Sequence, residues 1–335
     1  MAAIPSNRLP GPFLDRNRAA VKRDLRPSTA FVFDGGGSLG AVEVGMLKAL
    51  TSHGVQADLV VGSSVGAINA AFFAGEPTGD GVQRLEQIWL GVRRRDVFPI
   101  GPLGSFLGFF GWRDHMLDPT PLRRLIERNI QYRQLEEARI PCHVVATDLI
   151  GGGDVRFSSG PAVEILLAST AIPAVFPPVR IGERYLIDGS IVNNSLISIA
   201  VELGATRVIV LPTGFSCSIE RPPRGALAMA LHASNLLIAR QLVLDVRRFA
   251  DEVELIVIPP LYPQTVSAYD FSRTRELIDR AAKSTESWFD KGGLTSRGIP
   301  DALAPGGRAT EIASRPPRQL FSTVAEASER SRWEC

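Results

Sequence analysis

The stretch from Ala57 to Ala70, read Ala-Asp-Leu-Val-Val-Gly-Ser-Ser-Val-Gly-Ala-Ile-Asn-Ala, constrains this chain more than any other. An apolar, β-branched run passes straight into small helix-compatible residues through Gly62-x-Ser64-x-Gly66. That is the pattern of a sharp strand-to-helix turn with one serine at its tip, in which the flanking glycines let strand and helix pass closely. The pentapeptide alone recurs by chance in unrelated sequences. Its weight comes from the strand-like run before it and the helix-like run after it, and these make Ser64 a candidate nucleophile.

The residues before the turn repeat the same alternation. Residues 1–28 are polar, proline-punctuated and aperiodic, which predicts a flexible lead-in. Thr29–Phe33 reads as a strand, and Asp34-Gly35-Gly36-Gly37-Ser38-Leu39-Gly40 as the tight loop that follows it. Apolar residues then recur at helical spacing from Ala41 to Leu50, and Gly54 ends them. Strand, glycine loop, helix, strand, elbow, helix predicts a parallel α/β sheet.

Downstream, helical spacing is expected over Leu85–Arg95, Pro119–Ile130, Ala162–Ser169, a segment closing at Ala200–Gly204, Leu227–Phe249 and Thr274–Phe289. Strands are expected at Ile140–Asp148, Val155–Phe157, Arg184–Ile187, Arg207–Leu211 and Glu254–Ile258. The prolines of Ala171–Val179 cannot continue a helix. Leu103–Trp112 is glycine-rich yet aromatic, which suits a flap over an apolar pocket, a surface that dips into lipid, or a buried connector. Beyond Gly292 periodicity fades, and a loosely ordered tail is expected over 292–335.

A chain of 335 residues can bury a large core as one α/β domain or two smaller ones. A formal net charge of +2 is too small for a nucleic-acid footprint. The arginine run Arg93–Arg95 suits a solvated surface or an anionic membrane. Cys142, Cys217 and Cys335 are odd in number and lack metal-ligand spacing, so neither a disulfide framework nor a zinc site is expected. The N-terminus has no signal-peptide core and no apolar run is long enough to span a bilayer, so a cytoplasmic protein is expected, with peripheral membrane contact open.

A serine hydroxyl is a poor nucleophile at neutral pH and needs a base, with donors waiting for the oxyanion. Gly35, Gly36 and Gly37 can turn backbone N–H groups toward one point, and Val65 can add another. Gly35-x-Gly37-x-x-Gly40 also fits a dinucleotide fingerprint, but Asp58 stands at the wrong end of the second strand and Asp34 would lie beside the pyrophosphate. For the base, a conventional triad needs a late histidine, and His232, inside a helix-like segment, is the sole candidate. The alternative is Asp188, at a strand end before Gly189. Spacing alone leaves both open.

The ordered set of motifs resembles the patatin-like phospholipases. It comprises Asp34 to Gly40, Gly62 to Gly66, Ala168 to Val179 and Asp188-Gly189 with Asn193 and Asn194 after it, within residues 29–215. The resemblance implies a three-layer α/β/α fold with a mainly parallel central sheet, related to the α/β-hydrolases, in a single catalytic domain over 29–291. It implies a Ser–Asp dyad of Ser64 and Asp188, an oxyanion hole from Gly35, Gly36, Gly37 and Val65, and motif glycines Gly40, Gly62, Gly66 and Gly189. It implies hydrolysis of phospholipid or other acyl-ester lipids through an acyl-serine, without metal or organic cofactor. A histidine-dependent soluble esterase or thioesterase, and a non-catalytic lipid-binding protein of the same fold, are the rivals. Leu39 stands where many members have a basic residue, Ser190 where Gly or Ala is usual, and Leu196 where proline is common. Residues 103–112 are the expected acyl-chain entrance or membrane-contacting flap, with Arg93–Arg95 nearby in sequence to meet lipid phosphate.

Overall fold

Runs such as Thr-Ala-Phe-Val-Phe at 29–33 and Arg-Val-Ile-Val-Leu at 207–211 carry no polar alternation, which suits only strands covered on both faces. They form the middle of the sheet in the computed structural model, which describes residues 28–99, 115–191, 196–214, 226–262, 266–295 and 300. In chain order the elements are β1 (Thr29–Phe33), α1 (Gly40–Ser52), β2 (Leu59–Ser63), α2 (Val65–Gly75), α3 (Gly79–Gly91), α4 (Arg94–Val97) and α5 (Thr120–Asn129). Then come β3 (Cys142–Asp148), β4 (Asp154–Phe157), α6 (Ala162–Ser169), β5 (Val179–Ile181), β6 (Arg184–Asp188) and α7 (Leu196–Glu202). The last are β7 (Arg207–Leu211), α8 (Ala226–Phe249), β8 (Glu254–Val257) and α9 (Thr274–Asp290).

The strand order is β5-β6-β3-β2-β1-β7-β8, with β4 also on β3. Strands β3, β2, β1, β7 and β8 are parallel, β4 and β6 run against them, and β5, antiparallel to β6, runs with them again. Side chains alternate across the sheet. Phe31 and Phe33 therefore join the core under α1, α2 and α9, while Ala30 and Val32 join the opposite core under α7 and α8. Helices on both faces make the three layers that the resemblance implies, around the parallel strands that the alternation predicts.

The pairing of β3 decides where the chain's chemistry lies. Val145 pairs with Ser63 of β2 and Arg156 of β4, so β2 and β4 occupy opposite edges of β3. Ala146 pairs with Val155 of β4 and Asp188 of β6, so β6 is also opposite β4. Strands β2 and β6 thus share one edge of β3, run toward each other, and end on adjacent residues of it. Their ends are Ser63 and Asp188.

Several sequence expectations need correction. The helix expected at Leu85–Arg95 begins at Gly79, where the Thr78 hydroxyl accepts from the Gly81 N–H, and ends at Gly91 because Val92 is extended. The Asp96 carboxylate then accepts from the Arg93 N–H and starts the single turn of α4. Val179, the last residue of the proline-rich stretch, opens an unexpected strand, β5, which pairs with β6. The helix closing near Gly204 starts at Leu196. The Leu103–Trp112 flap, Asn193, Asn194, Cys217, Cys335, residues 1–27 of the lead-in and nearly all of the tail lie outside the described residues. Among the described residues no helix is long and apolar enough to cross a membrane.

Candidate active site

The elbow is strained in the way its sequence requires. Ser64 has φ 53° and ψ −131°, an uncommon conformation for a residue with a side chain that costs on the order of 1–3 kcal/mol. Its neighbours hold it there. A Cβ on Gly66 would stand 2.4 Å from the Phe33 carbonyl oxygen, and one on Gly62 would stand 2.6 Å from the Gly66 carbonyl oxygen. Only glycine lets α2 press this closely against the ends of β1 and β2. The buried Ser169 hydroxyl accepts from the Ser64 N–H at 3.0 Å and donates to the Val145 carbonyl at 2.6 Å, pinning the turn to β3. Sequence reading placed Ser169 in a motif without giving it a task.

At the meeting of β2 and β6, Ser64 Oγ donates to Asp188 Oδ2 at 2.7 Å. The other carboxylate oxygen accepts from the Ser190 N–H at 2.8 Å. Asp188 itself is anchored, its N–H donating to the Ala171 carbonyl and its carbonyl accepting from the Thr147 hydroxyl. A Cβ on Gly189 would stand 2.0 Å from the Val145 carbonyl oxygen, so the residue after Asp188 has to be glycine. Burial raises the Asp188 pKa, against the lowering effect of the Ser190 N–H and the hydroxyls of Ser64 and Ser190. A carboxylate kept partly desolvated is a better base than a free one.

The glycine loop lies against this pair. A Cβ on Gly35 would fall 2.4 Å from Ser190 Oγ and 3.3 Å from Ser64 Cβ. A Cβ on Gly36 would fall 2.4 Å from Thr213 Oγ1, and that buried hydroxyl donates to the Gly35 carbonyl at 2.6 Å. Gly37 has φ 59°, and the Ser38 N–H just after it donates to the Ala268 carbonyl at 2.8 Å. One expectation is corrected here: the Gly35 N–H donates to Asp34 Oδ1 at 2.9 Å, which removes it from the waiting donors. The amides of Gly36, Gly37 and Val65 find no acceptor among the described residues. Gly40 packs farther back, where a Cβ would meet Val65 and Trp89.

An apolar cavity of about 70 Å³ opens on Ser64, lined in part by Gly37, Ile68, Trp89, Phe98, Phe176 and Phe271. By volume it takes only the first few carbons of a chain. Val92, Val97 and Phe98 contribute to it, so the exposed Arg93–Arg95 run is bracketed by its wall residues. No histidine is among the described residues lining it; His232 lies within α8. A larger cleft of about 440 Å³ lies on the α8 side of the sheet, with Asp34, Ser63 and Ser190 in its lining and Ser64 absent from it. No group of His, Cys, Asp or Glu among the described residues is arranged to hold a metal ion.

Behind the glycine loop lies a buried polar chain that sequence reading missed altogether. Trp89 Nε1 donates to Asn69 Oδ1 at 2.8 Å, and Asn69 Nδ2 donates to Glu43 Oε2 at 2.6 Å and to the Gly40 carbonyl at 2.9 Å. Burial pushes the Glu43 pKa well up, with the nearby Asp34 charge adding to the rise and Asn69 opposing it. Asp34, buried with Oδ2 lacking a partner among the described residues, is raised to about 6 by burial against the pull of the Gly35 N–H. A glutamate on an apolar helix face was the available signal, because such a carboxyl must find a partner or stay protonated.

The patatin-like phospholipase pattern matches residues 31–201. Patatin-like phospholipase domain-containing protein 6 of Mus musculus is 28% identical over 187 residues, covering 55% of this chain and 13% of that protein. An uncharacterized NTE family protein of Mycobacterium tuberculosis is 30% identical over 177 residues, covering 52% of this chain and 28% of that protein. The chain therefore matches less than a third of either relative's length. Among solved structures, VipD from Legionella pneumophila superposes with a TM-score of 0.43 at 14% identity, covering 79% of this chain and 67% of that one. Human GIVD cytosolic phospholipase A2, in complex with methyl gamma-linolenyl fluorophosphonate and terbium chloride, superposes with a TM-score of 0.43 at 13% identity, covering 83% and 59%.

Proposed function

This chain belongs to the patatin-like phospholipase family, and from that premise we propose that it is a serine lipid acyl hydrolase working through Ser64 and Asp188. The observation that carries the reading is the 2.7 Å hydrogen bond from the Ser64 hydroxyl to a buried carboxylate, at the tip of a strained elbow and beside an apolar cavity.

Ser64 Oγ attacks the ester carbonyl while its proton passes to Asp188 Oδ2. The amides of Gly36, Gly37 and Val65 receive the negative charge that develops on the carbonyl oxygen, in a loop held by Thr213 and the 267–268 backbone. Protonated Asp188 returns its proton to the leaving alcohol. A water then attacks the acyl-serine and gives its proton to the same carboxylate; as the C–Oγ bond breaks and the fatty acid leaves, that proton passes to Ser64 Oγ and restores the dyad. The cavity of Trp89, Phe98, Phe176 and Phe271 takes the start of the acyl chain, which favours apolar acyl groups over acetyl.

The test is a panel of phospholipids, acylglycerols and short soluble esters given to wild type, Ser64→Ala and Asp188→Asn, with an alkyl fluorophosphonate added separately and the labelled peptide located by mass. Fatty acid released by wild type alone, with the label on Ser64, is the expected result. Turnover that survives either substitution, or label on another residue, overturns the dyad. Loss of turnover in His232→Ala would favour the histidine-dependent rival.

A further inference from the structure

The membrane contact expected at 103–112 lies outside the described residues, but the described surface carries another candidate. The turn between β3 and β4 presents Leu149 and Ile150 to solvent, 48% and 80% exposed. The turn holds these side chains outward. Asp148 Oδ1 accepts from the N–H groups of Ile150 and Gly151 at 3.0 and 3.1 Å, and the Gly152 N–H closes back on the Asp148 carbonyl at 2.8 Å. Gly152 supplies the left-handed φ of 68°. Those amides, with Arg184 nearby, also hold the Asp148 carboxyl below its ordinary range.

The position of the turn matters more than its exposure. Val145 pairs with Ser63, next to the elbow, and β3 continues three residues beyond it to Asp148. At the rise of a strand that carries the turn about 10 Å past the level of the dyad. Beside it stands the β5–β6 hairpin, joined by a hydrogen bond from the Leu149 N–H to the Tyr185 carbonyl at 2.8 Å. Tyr185 is 43% exposed, and the Arg180 guanidinium lies 5.9 Å from its ring centroid. Arg184 is exposed next to it. The catalytic end of the sheet therefore bears a rigid ledge with an aliphatic tip, a tyrosine and two arginines.

We propose that this ledge is the surface on which the protein rests on a phospholipid bilayer, with Leu149 and Ile150 entering the acyl region and Tyr185, Arg180 and Arg184 among the headgroups. Aliphatic side chains gain by leaving water, tyrosine favours the interface, and arginines lie along apolar surface with their charge at the phosphates. Glu183 and Asp148 lie near the two arginines, so the ledge has little net charge. Insertion of the tip carries the binding, and zwitterionic vesicles suffice. The proposal rests on the lipid hydrolase reading for its purpose, since it would bring Ser64 to the lipid surface.

A second exposed apolar run, Leu236, Leu237 and Leu244 on α8, serves as the contrast. That helix packs on a flank of the sheet, where Leu237 and Leu244 line the cleft that Asp34, Ser63 and Ser190 also line, and they form no part of the β3–β4 ledge.

The experiment is co-sedimentation with phosphatidylcholine vesicles, using Ser64→Ala as the parent so that no lipid is consumed. The parent is expected to pellet with vesicles. Adding Ile150→Glu should lower partitioning about tenfold or more, whereas adding Leu237→Glu should change it by less than about twofold. All three proteins should unfold at the same temperature. A parent that does not bind, an Ile150→Glu variant that binds like the parent, or a Leu237→Glu variant that alone loses binding overturns the proposal. So does a dimer that Ile150→Glu disperses without any vesicle binding, which would assign the tip to a second copy. Because no turnover is read, failure here leaves the hydrolase reading standing, and failure of the lipid panel leaves this result interpretable.

Discussion

Asp34 and Asp188 form an instructive pair. Each ends a strand at the same end of the sheet, each precedes a glycine, each is almost wholly buried, and each holds one oxygen on a backbone N–H within two residues. Burial raises both pKa values. What separates them is the second oxygen. That of Asp188 meets the Ser64 hydroxyl, while that of Asp34 has no hydrogen-bond partner among the described residues. An Asp-Gly dipeptide at a strand end is therefore a scaffold for two arrangements, and the neighbour of the second oxygen decides between them: in the proposed mechanism, a base for a nucleophile or a brace for the oxyanion loop.

The contrast is sharpest in activity. Ser64→Ala and Asp188→Asn should each lower kcat by about 10³-fold or more with the fold intact by circular dichroism, and Asp34→Asn by less than about tenfold. Equal losses at the two aspartates would erase the distinction drawn above. Next in size is the loop that Asp34 braces. Gly36→Ala drives a methyl against Thr213 and should cost about 10²-fold in kcat by displacing oxyanion donors, with KM changed little.

A third difference lies in pH. In the proposed dyad ionised Asp188 is the base, so kcat should fall on the acid side with a midpoint above the ordinary aspartate value near 3.9. Asp34→Asn should leave that limb in place, and a limb that vanishes with Asp34 would transfer the base role to it. Asp34 should show itself in stability instead. With a folded pKa of about 6 against 3.8, the native state binds its proton more tightly than the unfolded chain does. Its contribution is whole below pH 3.8 and falls away as pH rises through 6, by about 3 kcal/mol in all. Denaturant unfolding across that range should show the decline in wild type and a flatter profile in Asp34→Asn. The smallest effect is expected behind the loop. Trp89→Phe leaves Asn69 Oδ1 buried without its donor and should destabilise by about 1–3 kcal/mol.

Much of this was legible from residue order. The elbow glycines, the glycine loop and Asp188-Gly189 could be read because they are local: each demand, a positive φ at Ser64 or a missing Cβ at Gly66 and Gly189, is met by the residue itself. The parallel course of β1 and β2 followed from apolar runs alternating with helical spacing. Less legible were Ser169 and Thr213, hydroxyls whose partners lie 24 and 178 residues away. Glu43 is similar, because its partner Asn69 sits on another helix. The Gly35 amide was misread because a glycine loop advertises free donors and does not reveal that the preceding aspartate claims one of them.

By itself the sequence determined that this chain has a serine at a strained strand-to-helix turn, a glycine loop one strand earlier and an aspartate at a later strand end. These follow from backbone sterics and periodicity, which act over a few residues. It could not choose between that aspartate and a histidine. The tertiary structure favoured the aspartate through strand pairing, because β2 and β6 approach along the same edge of β3 and end on its neighbouring residues, so the serine after one strand meets the carboxylate at the end of the other. Register across a sheet is set by hydrogen bonds between distant segments, and no local pattern in either segment encodes it.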